Sequence, residues 1–162
     1  MKKPINVRQV QDYDCGPTAV INLMRWLDTG MAGLALRDLR SIVSIRLKTD
    51  EDGTAAEDMH AMIRETAKIA KAKVKLQYNI TFDEIYNHLV AGGCLVLDHV
   101  DGDGEWHYSF WVMNNGIIRG VNSDSSSKKP EYSIERLKYY LKCSEGYFDH
   151  LPSGWFISKG KR

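Results

Sequence analysis

The sequence has no apolar run long enough to cross a bilayer, no CxxC pair, no excess of charge and no internal repeat. Each absence removes a class of function. A membrane-spanning helix needs about 18 or more consecutive apolar residues, and no stretch reaches that. The opening MKKPINVRQV also lacks the apolar core of a secretion signal, so a cytoplasmic protein with no membrane segment of its own is expected. The three cysteines, Cys15, Cys94 and Cys143, are widely spaced and odd in number. That argues against a disulfide framework or structural zinc and leaves at least one free thiol unless it pairs with another chain. Lys and Arg total 22 against 21 Asp and Glu. No global field therefore draws the chain to nucleic acid, and no nucleic-acid partner is expected. His99, Asp101, Asp103 and His107 lie close in sequence, but DGDGE lacks the full calcium-loop pattern and no Cys/His spacing matches zinc, so neither a metal nor a cofactor is expected.

What is present fits one ordinary core: 162 residues, 43% hydrophobic, a single domain over residues 1–162. Residues 15–27 carry Ala19, Val20, Leu23, Met24 and Leu27 at helical spacing, with Gly16-Pro17 opening the helix and Thr29-Gly30 closing it. A second helical piece is predicted near 34–42, with a polar loop at 44–53. A third helix follows a capping-box pattern from Thr54 to Glu57, and a fourth follows the same pattern from Thr81 to Glu84. KVKLQYN at 73–79 alternates like a strand, CLVLDHV at 94–100 reads as a buried central strand, and residues 107–122 read as a hairpin around Asn115-Gly116. The serine-rich stretch after residue 122 reads as a surface loop, Ser133 as the cap of a short helix, and GWFISKG as an edge or terminal strand. Helices first and strands later predict an α+β fold, a helical half packed on an antiparallel sheet.

Chemistry concentrates at QDYDCGPTAVINLMRWL, residues 11–27. Cys15 falls in the first turn of a helix, where unpaired backbone N–H groups and the positive helix end favour thiolate. A cysteine near a helix start is also ordinary packing. A nucleophilic thiol needs a base, and the base needs an orienting group. Among five histidines, His107 begins a strand after a glycine-rich loop, and His99, ending the preceding strand, is its rival. The hairpin returns the chain near Asn122, whose amide oxygen can accept an imidazole N–H; Asp124 is the acidic alternative. Gln9 and Gln11 precede the cysteine by six and four residues, and a glutamine amide there can stabilise an oxyanion beside the Cys15 N–H.

Taken together, these stretches resemble the peptidase C39 family, papain-like cysteine protease domains that often precede bacteriocin-exporting ABC transporters. QVQDYDCGP at 9–17 is similar to that family's oxyanion glutamine followed by its cysteine. LALRDLRSI, DGTAAEDMHAMIRETA and ITFDEIYNHLVAGGCLVLDHV are similar to its helices and central strand, and HYSFWV at 107–112 to its histidine strand. Where the family usually has aspartate followed by proline, this chain has Asn122-Ser123. The resemblance implies a papain-like fold and a thiol peptidase acting on a peptide or protein substrate, in which Cys15 attacks, His107 is the base, Asn122 orients it and Gln9 serves the oxyanion. It also implies a transporter or host-protein partner and possible cleavage after a Gly-Gly leader. A silent binding or adaptor domain and a thiol-dependent transferase are the alternatives.

Overall fold

The helix that opens at Cys15 is the axle of the structure. The computed structural model describes residues 5–121, 131–147 and 150–160. Helix α1 spans Cys15–Leu27, and every residue from Cys15 to Trp26 is buried. Its periodicity predicts one apolar face; the structure instead sinks it between layers, so Thr18, Asn22 and Arg25 are buried as well. Asn22 compensates for its burial with hydrogen bonds. Its side-chain oxygen accepts the Val7 N–H at 3.0 Å, while its amide donates to the Val7 and Thr18 carbonyls at 3.1 and 3.0 Å. These bonds hold the incoming segment against α1. The helix closes at Asp28, with φ 59°, and not at Gly30 as the sequence suggested. Aspartate is one of the few non-glycine types that visits this left-handed region.

Helix α2 is Leu36–Arg46 and takes the first turn of what the sequence offered as loop. Helix α3 is Ala56–Ile69, and its expected capping box does not form: Ala55 stands at the cap, and Thr54 Oγ1 instead lies 2.7 Å from Thr49 Oγ1. Helix α4, Phe82–Val90, does carry its box, with Thr81 Oγ1 accepting the Glu84 N–H and the Glu84 carboxylate accepting the Thr81 N–H at 2.8 Å. Helix α5 is Ile134–Ser144. Among the described residues no helix is long and apolar enough to cross a membrane.

The strands are β1 Lys73–Tyr78, β2 Cys94–Val100, β3 Trp106–Asn114, β4 Ile117–Val121, β5 Glu131–Tyr132 and β6 Ser153–Ser158. They form one antiparallel sheet in the order β1-β6-β2-β3-β4-β5. The turn between β3 and β4 is the predicted one: Asn115 and Gly116 both have positive φ, 50° and 76°, as the tight reversal requires. Strand β6 is the terminal strand of the chain, as the sequence allowed, and lies inside the sheet between β1 and β2 and not at its edge, the other position offered. Consecutive buried Trp155, Phe156 and Ile157 explain this, because both faces of the strand need cover.

Alternation along the strands sorts two cores. Cys94, Val96, Tyr108, Phe110, Trp155 and Ile157 pack with α1, α2 and α3. Leu95, Leu97, Trp111, Ile118 and Phe156 pack with α4 and α5. The papain-like α+β arrangement expected from the sequence is present, with helices on both faces of the sheet and not on one alone. Strand β2 is buried along its whole length, as expected.

Candidate active site

Each residue of DCGP has a separate task at the start of α1. Asp14 faces back toward the preceding loop: both its carboxylate oxygens accept the Val10 N–H at 3.2 Å, and Arg40 Nη1 on α2 donates to it at 3.2 Å. Burial pushes this carboxyl up while the Val10 N–H and Arg40 pull it down. Arg40 also donates to the Arg8 carbonyl, so one guanidinium ties the loop on both sides of Gln9. Pro17 spends no N–H in the first turn, where none would find a helical partner. Gly16 is there for space: a Cβ at this position would lie 2.6 Å from Thr54 Oγ1 and 2.8 Å from Thr54 Cβ. Gly16→Ala is therefore expected to destabilise the fold by about 1–3 kcal/mol, read as a lowered urea midpoint. An unchanged midpoint would show that Thr54 yields freely.

Cys15 itself is 6% exposed. The backbone N–H groups of Tyr108 and Gly16 stabilise its sulfur, but burial outweighs them and pushes the thiol up to about 11, with the Asp14 and Asp98 carboxylates adding to the rise. Burial thus works against the thiolate that the helix start favours. The helix end and two donors do act on the sulfur, but the desolvation of a nearly enclosed charge is larger. What the fold does supply is position. The β3–β4 ladder ends at Phe110 opposite Val121, and the Tyr108 N–H, two residues earlier on β3, is directed at the thiol. Cys15 is thereby set against the backbone immediately after His107.

His107 is half-buried near the start of β3. Its Nδ1 is buried and has no hydrogen-bond partner. The register pairs it with His99 across β2, with ring centroids 5.9 Å apart. His99, the rival base, is disposed of by its surroundings. Only 1% exposed, it is bonded through Nε2 to Ser109 Oγ at 3.0 Å, which accepts the Trp111 indole N–H at 2.7 Å. Its ring also lies 4.0 Å from that of Tyr140 on α5. Desolvation, with His107 nearby, pushes it down to about 3, so it stays neutral.

Gln9 is 5% exposed; its Nε2 donates to the Gln11 carbonyl and its Oε1 is buried without a partner. One amide hydrogen of Nε2 thus remains uncommitted by that bond. Asn122 and its alternative Asp124 lie outside the described residues; the described chain reaches Val121, opposite Phe110. In the DGDGE loop the Asp101 carboxylate accepts the N–H groups of Asp103 and Glu105 at 2.9 and 3.0 Å and so organises its own turn.

Sequence reasoning missed Asp98. It is 2% exposed in the middle of the sheet, accepting the Trp106 indole N–H at 2.6 Å and the Ser153 hydroxyl at 3.4 Å. Desolvation, partly offset by those two donors, pushes it up to about 7. The signal was available: one carboxylate inside the apolar run CLVLDHV, where charge is rarely buried without a purpose.

No protein-family model and no curated protein sequence matches the chain, and its kinship is read from three-dimensional arrangement. It is similar to the peptidase domain of Streptococcus ComA, a bifunctional ABC transporter involved in quorum sensing, at 18% identity over 95% of this chain and 97% of that one, with a TM-score of 0.57. It is also similar to a double-glycine-motif protease from an AMS/PCAT transporter, solved with its leader peptide, at 9% identity, 98% and 94% coverage and a TM-score of 0.60. The chain has the C39 peptidase fold. A protein assigned as a C39-like peptidase from Bacillus anthracis gives the same result at 9% identity, 96% and 95% coverage and a TM-score of 0.56.

Proposed function

We propose that the chain is a cysteine peptidase of the C39 type, cleaving a peptide or protein amide bond through an acyl-enzyme. The observation that supports this reading is that the Tyr108 N–H, one residue after His107 on β3, bonds the Cys15 sulfur, while the buried His107 Nδ1 has no partner of its own. The thiol rests neutral, held up by burial. As Cys15 attacks the carbonyl carbon, the thiol proton moves to His107, and the Tyr108 and Gly16 N–H groups stabilise the sulfur as it gains charge. The oxyanion takes the remaining Gln9 Nε2–H and the Cys15 N–H, which as the first helical N–H has no intrahelical partner. His107 then returns the proton to the leaving amine, and water releases the acyl group. Asn122 is assigned to orient His107, with Asp124 as the alternative. The substrate is a peptide, and the transporter-linked relatives favour leader processing beside a transporter partner.

A second reading, a papain-like binding domain without turnover, draws on the thiol being held well above neutrality. Peptide-library cleavage followed by mass spectrometry separates the two. Wild-type chain is expected to cut at a defined sequence and Cys15→Ala not at all, while Asn122→Ala is expected to lose about tenfold or more in kcat/KM with Asp124→Ala near wild type. Cleavage that survives Cys15→Ala overturns the peptidase assignment. Absence of any cleavage by the wild-type chain favours the binding domain, and a product formed only with an added amine moves the reading to a transferase.

A further inference from the structure

A cleft of about 510 Å³ has walls from α3, β1, β2 and β6. Asp98 and Ser153 lie in it, Glu57 and His60 stand on the α3 side, and Tyr78 and Trp155 provide aromatic surface. The cleft and the nucleophile share a group: Asp98 acts electrostatically on Cys15 and on Tyr108, its partner across the β2–β3 ladder. No lysine or arginine is among the described residues lining this cleft. His60 is committed as an acceptor, with the Trp155 indole N–H donating to its Nδ1 at 2.9 Å. His150, at the outer end, stacks on Trp106 at 6.0 Å and meets the Tyr78 ring edge-on at 6.5 Å.

An ionised carboxylate has roughly four acceptor positions, and Trp106 and Ser153 occupy two of those of Asp98. A carboxylate held inside the sheet, a second acidic residue on the opposite wall and aromatic faces between them match a positively charged side chain with an apolar stem. Burial of Asp98 works against the stability of the fold, which is the usual mark of a group kept for a site. We propose that this cleft binds a lysine or arginine side chain of the substrate peptide, with Asp98 as the specificity-determining residue and Glu57 as a supporting charge at the rim. The inference rests on the peptidase reading, because it treats the cleft as a neighbour of the scissile bond.

Two measurements test it. In the first, the full chain is treated at low salt with aminoethyl or sulfonatoethyl methanethiosulfonate, and modification of Cys15 is followed by peptide mass mapping, with rates normalised to N-acetylcysteine. The ammonium reagent is expected to be favoured about tenfold or more, and Asp98→Asn to erase most of that ratio. Glu57→Lys, on an exposed position that does not threaten folding, is expected to lower it as well. A ratio unchanged in both variants overturns the proposal. Should Asp98→Asn fail to fold, the Glu57→Lys ratio decides alone. In the second measurement, peptides with lysine or arginine at each position are compared with their norleucine and citrulline counterparts. Lysine at one position is expected to raise kcat/KM about tenfold over norleucine in wild type and not in Asp98→Asn. A preference for the ammonium reagent with no preference for basic peptides rejects a peptide side chain as the occupant. The reagent ratio does not require turnover, so an inactive chain that keeps it leaves the cation cleft standing while the peptidase reading falls.

Discussion

His107→Ala is expected to lower kcat/KM on any cleaved peptide by about a thousandfold, within the usual span for removal of a positioned acid–base group. The size of the effect follows from the state of the thiol. Burial holds Cys15 up to about 11, so at neutral pH on the order of one molecule in ten thousand carries thiolate without help. A thiolate formed in advance could lose its histidine and keep part of its reactivity. A neutral thiol cannot, since His107 must take the proton during attack. Two readouts separate this role from simple structural damage. The rate in His107→Ala should climb about tenfold per pH unit through the alkaline range toward pH 11, because hydroxide replaces the missing base and thiolate fraction alone then sets the rate. The melting temperature should stay close to wild type, since the His107 Nδ1 makes no hydrogen bond that the substitution would remove. Alkylation of wild-type Cys15 by iodoacetamide at pH 7 should be slower than that of a free model thiol. Alkylation that is instead fast and flat from pH 6 to 9 would show a preformed thiolate–imidazolium pair and refute the neutral resting site.

The second large effect concerns stability. Asp98 is pushed from the ordinary 3.8 up to about 7 in the folded chain. Below pH 3.8 both folded and unfolded chains hold the proton, and the group costs nothing. Between that pH and about 7 the unfolded chain has released its proton while the folded chain keeps it, so the folded state binds more protons and stability falls as pH rises. Above about 7 the deficit is complete, on the order of 4 kcal/mol. Asp98→Asn removes the titration. Its amide oxygen can still accept the Trp106 indole N–H, and its amide nitrogen can donate to Ser153, whose hydroxyl reverses its role. Urea denaturation is therefore expected to show the variant more stable than wild type by a few kcal/mol at pH 8 and by nearly nothing at pH 3.5. A variant that is less stable at pH 8 would mean that the amide cannot satisfy the same partners. If stability rises while the preference for cationic reagents disappears, the buried carboxylate is a group that the fold holds at a cost for the sake of its site.

Local chemistry was enough to predict much of this molecule. Asn115-Gly116 dictated the reversal between β3 and β4, Thr81 with Glu84 dictated the start of α4, and CLVLDHV dictated a central strand. Each depends on dihedral preference, a short-range bond or an unbroken apolar run. The Thr54–Glu57 box had the same local credentials and did not form, because Thr54 is engaged by Thr49 and pressed against Gly16. Of the two positions suggested for GWFISKG, terminal strand or edge, only the first holds, because a strand's neighbours are chosen by burial of both faces, which local sequence does not report.

The same division runs through the site. The sequence by itself determined that a cysteine would stand at the mouth of a helix, with glycine and proline behind it, a glutamine ahead of it and a histidine at a strand start. It also contained every residue of Asp98's surroundings without any sign of their meeting. Only the tertiary structure decided that His99 is sealed under α5 while His107, opposite it on β3, stays half-buried, that Arg40 ties down the glutamine loop through Asp14, and that burial works on the thiol against the helix end. The physical reason is that a helix end and its N–H groups act over one turn and can be read from sequence, whereas desolvation depends on everything the fold brings around the sulfur. Here Cys15 is only 6% exposed, and its burial outweighs the local field.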